Sequence, residues 1–294
     1  MPLQATSGAA SYDAFGGGVA AVPNYIEDVF STYLYTGTGS TQTITNGIDL
    51  STKGGLVWTK TRTGGAGYDW HVLVDSARGV DKVIQTNLTD AESTQTDLTS
   101  FTTTGYNLAA GSYYGNFNFS GAKFVSWTFR KQPKFFDVVT WTGDSTAGRT
   151  VAHNLGSVPA CIIVKRTDAA NGWPVYHRSM NASPQNYQMR LNATTEAFTS
   201  SPSRWNDTLP TSTEFTLSAN DEVNGSGGTY VAYLFAHDAG GFGLTGTDNV
   251  IWCGSYTEGA AGTEQTINLG YEVQWLLIKP SSISGTWYMY DTMR

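Results

Sequence analysis

His153–Met180 reads HNLGSVPACIIVKRTDAANGWPVYHRSM, and this stretch decides the fold. Asn154-Leu155-Gly156 marks a turn. Pro159 then opens the run Ala160-Cys161-Ile162-Ile163-Val164, which closes at Lys165-Arg166. The run is short, apolar and partly β-branched, so it predicts a buried strand rather than a helix. Thr167–Gly172 is polar and ends on Asn171-Gly172, a hairpin signal. Trp173–His177 is the return strand. The same strand–hairpin–strand pattern comes again at Leu56–Lys60 with Trp70–Asp75, and at Val273–Lys279 with Trp287–Asp291.

Spacing turns the pattern into a repeat. Lys60 and Lys165 stand 105 residues apart, as do Asn87 and Asn192, and Val125 and Val231 are 106 apart. Anchors that agree this closely over such a distance predict tandem units. The expected organisation is all-β, with tandem antiparallel β-sandwich repeats of jelly-roll or lectin-like form. Residues 1–24 form an N-terminal arm, 25–131 the first repeat, 132–241 the second, and 242–294 an incomplete third. Phe124–Arg130 alternates, with Val125, Trp127 and Phe129 on one side, and predicts a half-buried strand. The third unit stops after Trp287–Asp291, which would leave unpaired edges. The expectation is that the natural polypeptide continues beyond Arg294 or that another subunit supplies the missing strands.

Composition narrows the function classes. Only 14% of the 294 residues are charged, against a usual ~25%, and Gly, Ser, Thr and Asn fill the difference. The net charge of −7 and the lack of a basic stripe argue against nucleic acid as a partner. No apolar run reaches the length of a membrane span, so membrane insertion is not expected. Residues 1–25 lack the charged and apolar regions of a signal peptide. Assembly in a reducing cytoplasm is therefore expected, with Cys161 and Cys253 as buried free thiols.

No nucleophile elbow, P-loop, metalloprotease helix or zinc pattern is present. His71, His153, His177 and His237 are dispersed and predict turn or strand-end hydrogen bonding. The oxygen-rich stretch Asn220–Gly227 lacks the order of an EF-hand and predicts a solvated loop. Lys60, Lys165 and Lys279 recur at one strand end, where a lysine ordinarily snorkels to water. No catalytic residue, metal or cofactor is expected. A glycan-active enzyme would need paired carboxylates in a cleft, and no pair stands out.

The aromatic residues offer the candidate contacts. The first unit carries extra residues up to Asn118, including Tyr113, Tyr114 and Phe117, with Phe119 just beyond. The second carries its own insertion at Ser201–Ser212, with Trp205 and Asn206. Both mix aromatic rings with Asn, Ser or Thr and little charge, which suits stacking on a neutral host surface glycan; the alternative for Tyr113, Tyr114, Phe117 and Phe119 is a loop that folds back on the sandwich. In the arm, Phe15, Val19 and Val22 are candidates for docking on a partner chain.

The pattern H-N-L-G-x-x-P-x-x-I-I-V-K from His153, the Trp173–His177 return strand and the later Asn224–Tyr233 segment (NGSGGTYVAY) resemble a repeat of virion structural proteins. Those proteins belong to tailed bacteriophages, especially ones infecting marine bacteria, and are usually called tail-fibre-like or structural. The resemblance spans roughly residues 25–294. It is best in the second unit and weakest in the first, where Gly54-Gly55 replaces Val158-Pro159. It implies a non-enzymatic component of the virion, of the tail fibre or tail tip, that contributes to host attachment. It also implies other virion proteins as partners and a homo-oligomeric state. The alternative is a capsid, collar or baseplate component with no receptor role.

Overall fold

The computed structural model describes residues 23–64, 70–111, 117–199, 203–260 and 262–294. The chain is almost all β, with several antiparallel sheets. A short 3-10 turn at Ile26–Asp28 precedes the first set of strands. That set comprises β1 (Phe30–Thr36), β2 (Gln42–Thr45), β3 (Gly55–Thr63), β4 (His71–Asp75), β5 (Gly79–Gln85), β6 (Ser93–Thr94), β7 (Leu98–Thr102), β8 (Gly105–Leu108) and β9 (Lys123–Arg130). The second set comprises β10 (Phe136–Thr142), β11 (Arg149–Ala152), β12 (Cys161–Arg166), β13 (Pro174–His177), β14 (Tyr187–Arg190), β15 (Phe198–Thr199), β16 (Glu214–Leu217) and β17 (Thr229–Phe235). A third, shorter set is the hairpin of β18 (Trp275–Ile278) and β19 (Tyr288–Asp291).

The first two sets each build a six-stranded sheet, in the orders β1-β9-β3-β4-β5-β6 and β10-β17-β12-β13-β14-β15. Position for position, the two orders correspond. Strand β9 lies between β1 and β3, with Trp127 opposite both Thr32 and Trp58. Strand β17 lies between β10 and β12, with Tyr233 opposite both Val138 and Ile163. Trp58 faces Leu73, Ile163 faces Val175, and Leu277 faces Met289 across their hairpins. By register, then, β18–β19 stand where β3–β4 and β12–β13 stand in the complete sets.

A smaller sheet of order β2-β8-β7 belongs to the first set, and the pair β11-β16 to the second. One core, containing Ile44, Val57, Val72, Val74, Tyr106 and Phe124, is drawn from the first set alone. The other core draws on both six-stranded sheets, with Leu56, Trp58 and Trp127 from the first and Ile163, Tyr233 and Phe235 from the second. The expectation of a half-buried Phe124–Arg130 is corrected here. Phe124, Ser126 and Thr128 are as buried as Val125, Trp127 and Phe129. The reason is that both faces of β9 are covered, one side supplying residues to each core.

Phe129 sits where the sets meet. Its ring centroid lies 4.9 Å from Phe30, 5.6 Å from Phe136 and from Phe235, and 5.4 Å from Trp275. It is 2% exposed. Such tilted and edge-on ring pairs add to the stabilisation from buried area. Phe129→Ala should lower the unfolding free energy by about 3–5 kcal/mol. Phe119→Ala, at a position 39% exposed, should change it far less. Denaturant titration of the two variants checks both expectations.

Candidate functional site

Among the described residues, the candidate contacts Phe117, Trp205 and Asn206 do not form an exposed surface. Tyr113, Tyr114, Phe15, Val19 and Val22 lie outside the described residues. Phe117 is fully buried, which corrects its place among the glycan contacts and agrees with the alternative that it packs on the sandwich. Its carbonyl accepts the Tyr35 hydroxyl at 2.8 Å, as the Val223 carbonyl accepts the Trp141 indole at 3.0 Å. Phe117 thus plays in the first set the part that buried Val223 plays in the second. The neighbouring asparagines agree, since Asn118 Oδ1 accepts from the Thr38 amide and Asn224 Oδ1 from the Asp144 amide. Gly37 and Gly143 complete the motif. A Cβ there would meet the Phe119 or Gly225 carbonyl oxygen at 2.2 or 2.1 Å, so only glycine fits.

Trp205 is likewise corrected. It is 2% exposed, donates its indole N–H to the Tyr187 carbonyl at 2.9 Å, and meets Tyr176 edge-on at 5.7 Å. A buried tryptophan with its one donor satisfied anchors a loop and presents no face to a sugar. Asn206 is half-buried at φ 50°, a left-handed position that asparagine tolerates. Its amide donates to the Ser203 carbonyl at 3.1 Å. Asn206 therefore shapes the turn beside Trp205. Trp205→Ala should cost about 3–5 kcal/mol in denaturant unfolding. Asn206→Gly should be near neutral, because glycine reaches this backbone conformation without strain.

The most fully built polar sites lie where the strand sets meet. Arg78 Nε pairs with Asp75 at 2.7 Å, and both side chains are nearly inaccessible. Tyr233, from the second set, donates its hydroxyl to Asp75 at 2.8 Å and accepts from Arg78 at 3.3 Å. Burial pushes the Tyr233 pKa well up, so it stays a donor. The same construction joins the third set to the first. Arg294 Nε pairs with Asp291 at 2.6 Å, the Trp127 indole donates to Asp291 at 3.1 Å, and Arg294 lies over the Trp127 ring at 5.0 Å. Trp127 and Tyr233 hold equivalent places on β9 and β17.

A second contact recurs with the lysines. Lys165 is fully buried, and its ammonium donates to the Thr89 carbonyl of the first set and to the Asn171 carbonyl, each at 2.9 Å. Lys279 donates to the Thr194 carbonyl of the second set at 2.9 Å and to the Gly285 carbonyl. The expectation of snorkelling is corrected for Lys165, because the neighbouring set covers it and offers carbonyls in place of water. Burial holds its pKa down at about 8. With no access to solvent, that amine is structural.

The remaining candidates also resolve into structure. Asp221 is engaged by Arg166, and Glu222 by Arg190 and Arg204. The carboxylates of the Asn220–Gly227 stretch are therefore neutralised by arginines, and no cluster of metal-ligating side chains occurs among the described residues. Cys161 is buried and free, whereas free Cys253 is only partly buried, a correction to the expected pair of buried thiols. Each histidine accepts on Nδ1: His71 from the Trp58 indole at 3.0 Å, His153 from the Leu155 amide at 3.2 Å, His177 from the Ser179 amide at 3.2 Å, and His237 from the Cys253 amide at 3.1 Å.

Burial pushes His71 and His177 down to about 4 and lowers His153 and His237. Unfolding returns them to the ordinary value of about 6.5. Between these values the unfolded chain binds more protons than the folded one. Stability is thus full above about pH 6.5 and falls as the pH drops toward 4. The melting midpoint should decrease from pH 7 to pH 5, and a His71→Gln/His177→Gln double variant should flatten that decrease. An unchanged slope would assign the effect to other groups.

No curated protein and no solved structure matches the chain. The profile of a domain of unknown function, DUF7483, matches residues 26–294, which takes in every strand set described above. The chain therefore belongs to the DUF7483 family.

Proposed function

We propose that the chain is a non-enzymatic structural component of the virion of a tailed bacteriophage, placed at the tail fibre or tail tip and contributing to host attachment. It is read as tandem antiparallel sandwich repeats, 25–131 and 132–241, with 242–294 as a partial third and 1–24 as an arm. Other virion proteins and further copies of the chain are its partners. The observation that carries the reading is the recurrence of one set of contacts between the strand sets. The lysine–carbonyl contact and the Asp–Arg–aromatic contact each occur twice, at equivalent registers. A scaffold that repeats its joints suits a rigid particle component, and the H-N-L-G…K pattern resembles that of phage structural proteins.

A second reading, a capsid, collar or baseplate component without a receptor role, is favoured by the burial of Phe117 and Trp205. With these rings in the core, a host glycan would have to be met elsewhere, by Tyr113, Tyr114 or exposed Phe119. Immunogold labelling of intact particles separates the readings: label at the distal tail supports the first, and label on the head, collar or baseplate supports the second. No label on any particle would overturn both. Tyr113→Ala/Tyr114→Ala should keep the fold and reduce adsorption under the first reading only. Deleting residues 1–22 should leave the melting transition of the body in place and prevent incorporation into particles. Normal incorporation would remove the arm from the assembly contacts.

A further inference from the structure

Beside β18 lies a cavity of about 1280 Å³, whose lining includes Phe129, Cys161, His177, Met180, Ile251 and Leu277. Its position in the strand order is informative. In the first sheet β9 fills the space between β1 and β3, and in the second β17 fills the space between β10 and β12. In the third set β18 pairs with β19 alone among the described residues. Residues 250–259, which precede β18 as β1 precedes β3 and β10 precedes β12, form no strand, and several of them line the cavity. The Trp275–Ile278 side chains are all part-exposed, whereas Cys161–Lys165 of β12 are all buried.

The cavity floor repeats the correspondence. His177 lies opposite Cys161, as Asp75 lies opposite Leu56 and Asp291 opposite Trp275. Met180 follows His177 at the spacing at which Arg78 follows Asp75 and Arg294 follows Asp291. At the two closed seams this pair receives the middle aromatic of the neighbouring set's β9-type strand, namely Tyr233 or Trp127. At the third seam the pair faces the cavity.

We propose that this cavity is a docking slot for one extended strand of the β9/β17 type, carried by a partner polypeptide, which adds antiparallel to the open edge of β18. The occupant has large apolar residues at alternate positions, as in Val125-Ser126-Trp127-Thr128-Phe129 and Val231-Ala232-Tyr233-Leu234-Phe235. Its central residue lies opposite Leu277 and over His177 and Met180. Main-chain hydrogen bonds to β18 supply affinity, and the alternate side chains supply specificity. The chemistry at the centre differs from that of the closed seams. Asp75 and Asp291 accept hydrogen bonds from Tyr233 and Trp127, whereas His177, already accepting on Nδ1 from Ser179, offers a donor. A tyrosine, whose oxygen also accepts, fits there better than a tryptophan.

The test uses the full chain and a synthetic peptide of the Thr229–Phe235 sequence, TYVAYLF, with terminal lysines for solubility. A shuffled peptide without the alternation is the control. Saturation with the first peptide should slow hydrogen exchange at least tenfold at the β18 amides that point away from β19, and the shuffled peptide should not. Benzoylphenylalanine in place of the fifth residue should photolabel Met180 or Leu277. Met180→Lys should weaken binding at least tenfold, and if that variant does not fold, the photolabelling alone reads the register. No slowing at millimolar peptide, equal slowing by the shuffled peptide, or labelling elsewhere would overturn the proposal. Protection that grows with protein concentration alone would assign the edge to a second copy of the chain and overturn it equally.

Discussion

A six-stranded sheet that is apolar on both faces has to be covered twice, and the rest of the architecture follows from that constraint. Strand β9 carries Val125, Trp127 and Phe129 toward the core shared with the second sheet, and Phe124 toward the core drawn from the first set. Neither layer is sufficient without the other. Phe129 condenses the constraint into one ring, because its neighbours come from all three strand sets. The strand sets are therefore successive in sequence but joined in their packing. A small ring of aromatic contacts links segments separated by more than a hundred residues.

The polar contacts give that packing its register. A buried ion pair is a weak source of net stability and a stronger source of specificity. Asp75 accepts from two backbone amides, from Arg78 and from Tyr233, so its buried charge is fully satisfied in only one arrangement of the two sheets. Lys165 behaves similarly, since its ammonium reaches the Thr89 carbonyl only when the sets are correctly juxtaposed. Sliding one sheet along the other would strip Asp75 of the Tyr233 hydroxyl and Lys165 of the Thr89 carbonyl, and a buried charge that loses a partner costs more than an exposed pair that does.

Much of this was legible in the sequence, and the failures have a common physical origin. The short β-branched runs and the Asn-Gly hairpin located β12 and β13, and the alternation in Phe124–Arg130 located β9. Burial was misjudged where a second layer covers a surface that local pattern leaves open. Phe117 and Trp205 stand among Gly, Asn and Ser, a composition that suggests an exposed loop, yet each ring is buried. A signal was present for Phe117: Asn118-Phe119-Ser120-Gly121 aligns with Asn224-Gly225-Ser226-Gly227, which places Phe117 on buried Val223. Lys165 carried no comparable signal, because nothing local to a strand end announces that another set will roof it.

The joints between the sets are directional, each linking unlike patches. Such head-to-tail contacts either run on as a filament or come round on themselves. Here they come round, since the third set's Asp291 already reaches the first set's Trp127. A ring written into one polypeptide escapes a restriction that binds a trimer of identical chains, in which any substitution appears at all three corners at once. The corner occupied by Asp75 and Arg78 in one place holds His177 and Met180 in another. One chain can thus hold two corners with an Asp–Arg pair while another corner carries a histidine and a methionine, so that its corners need not be alike.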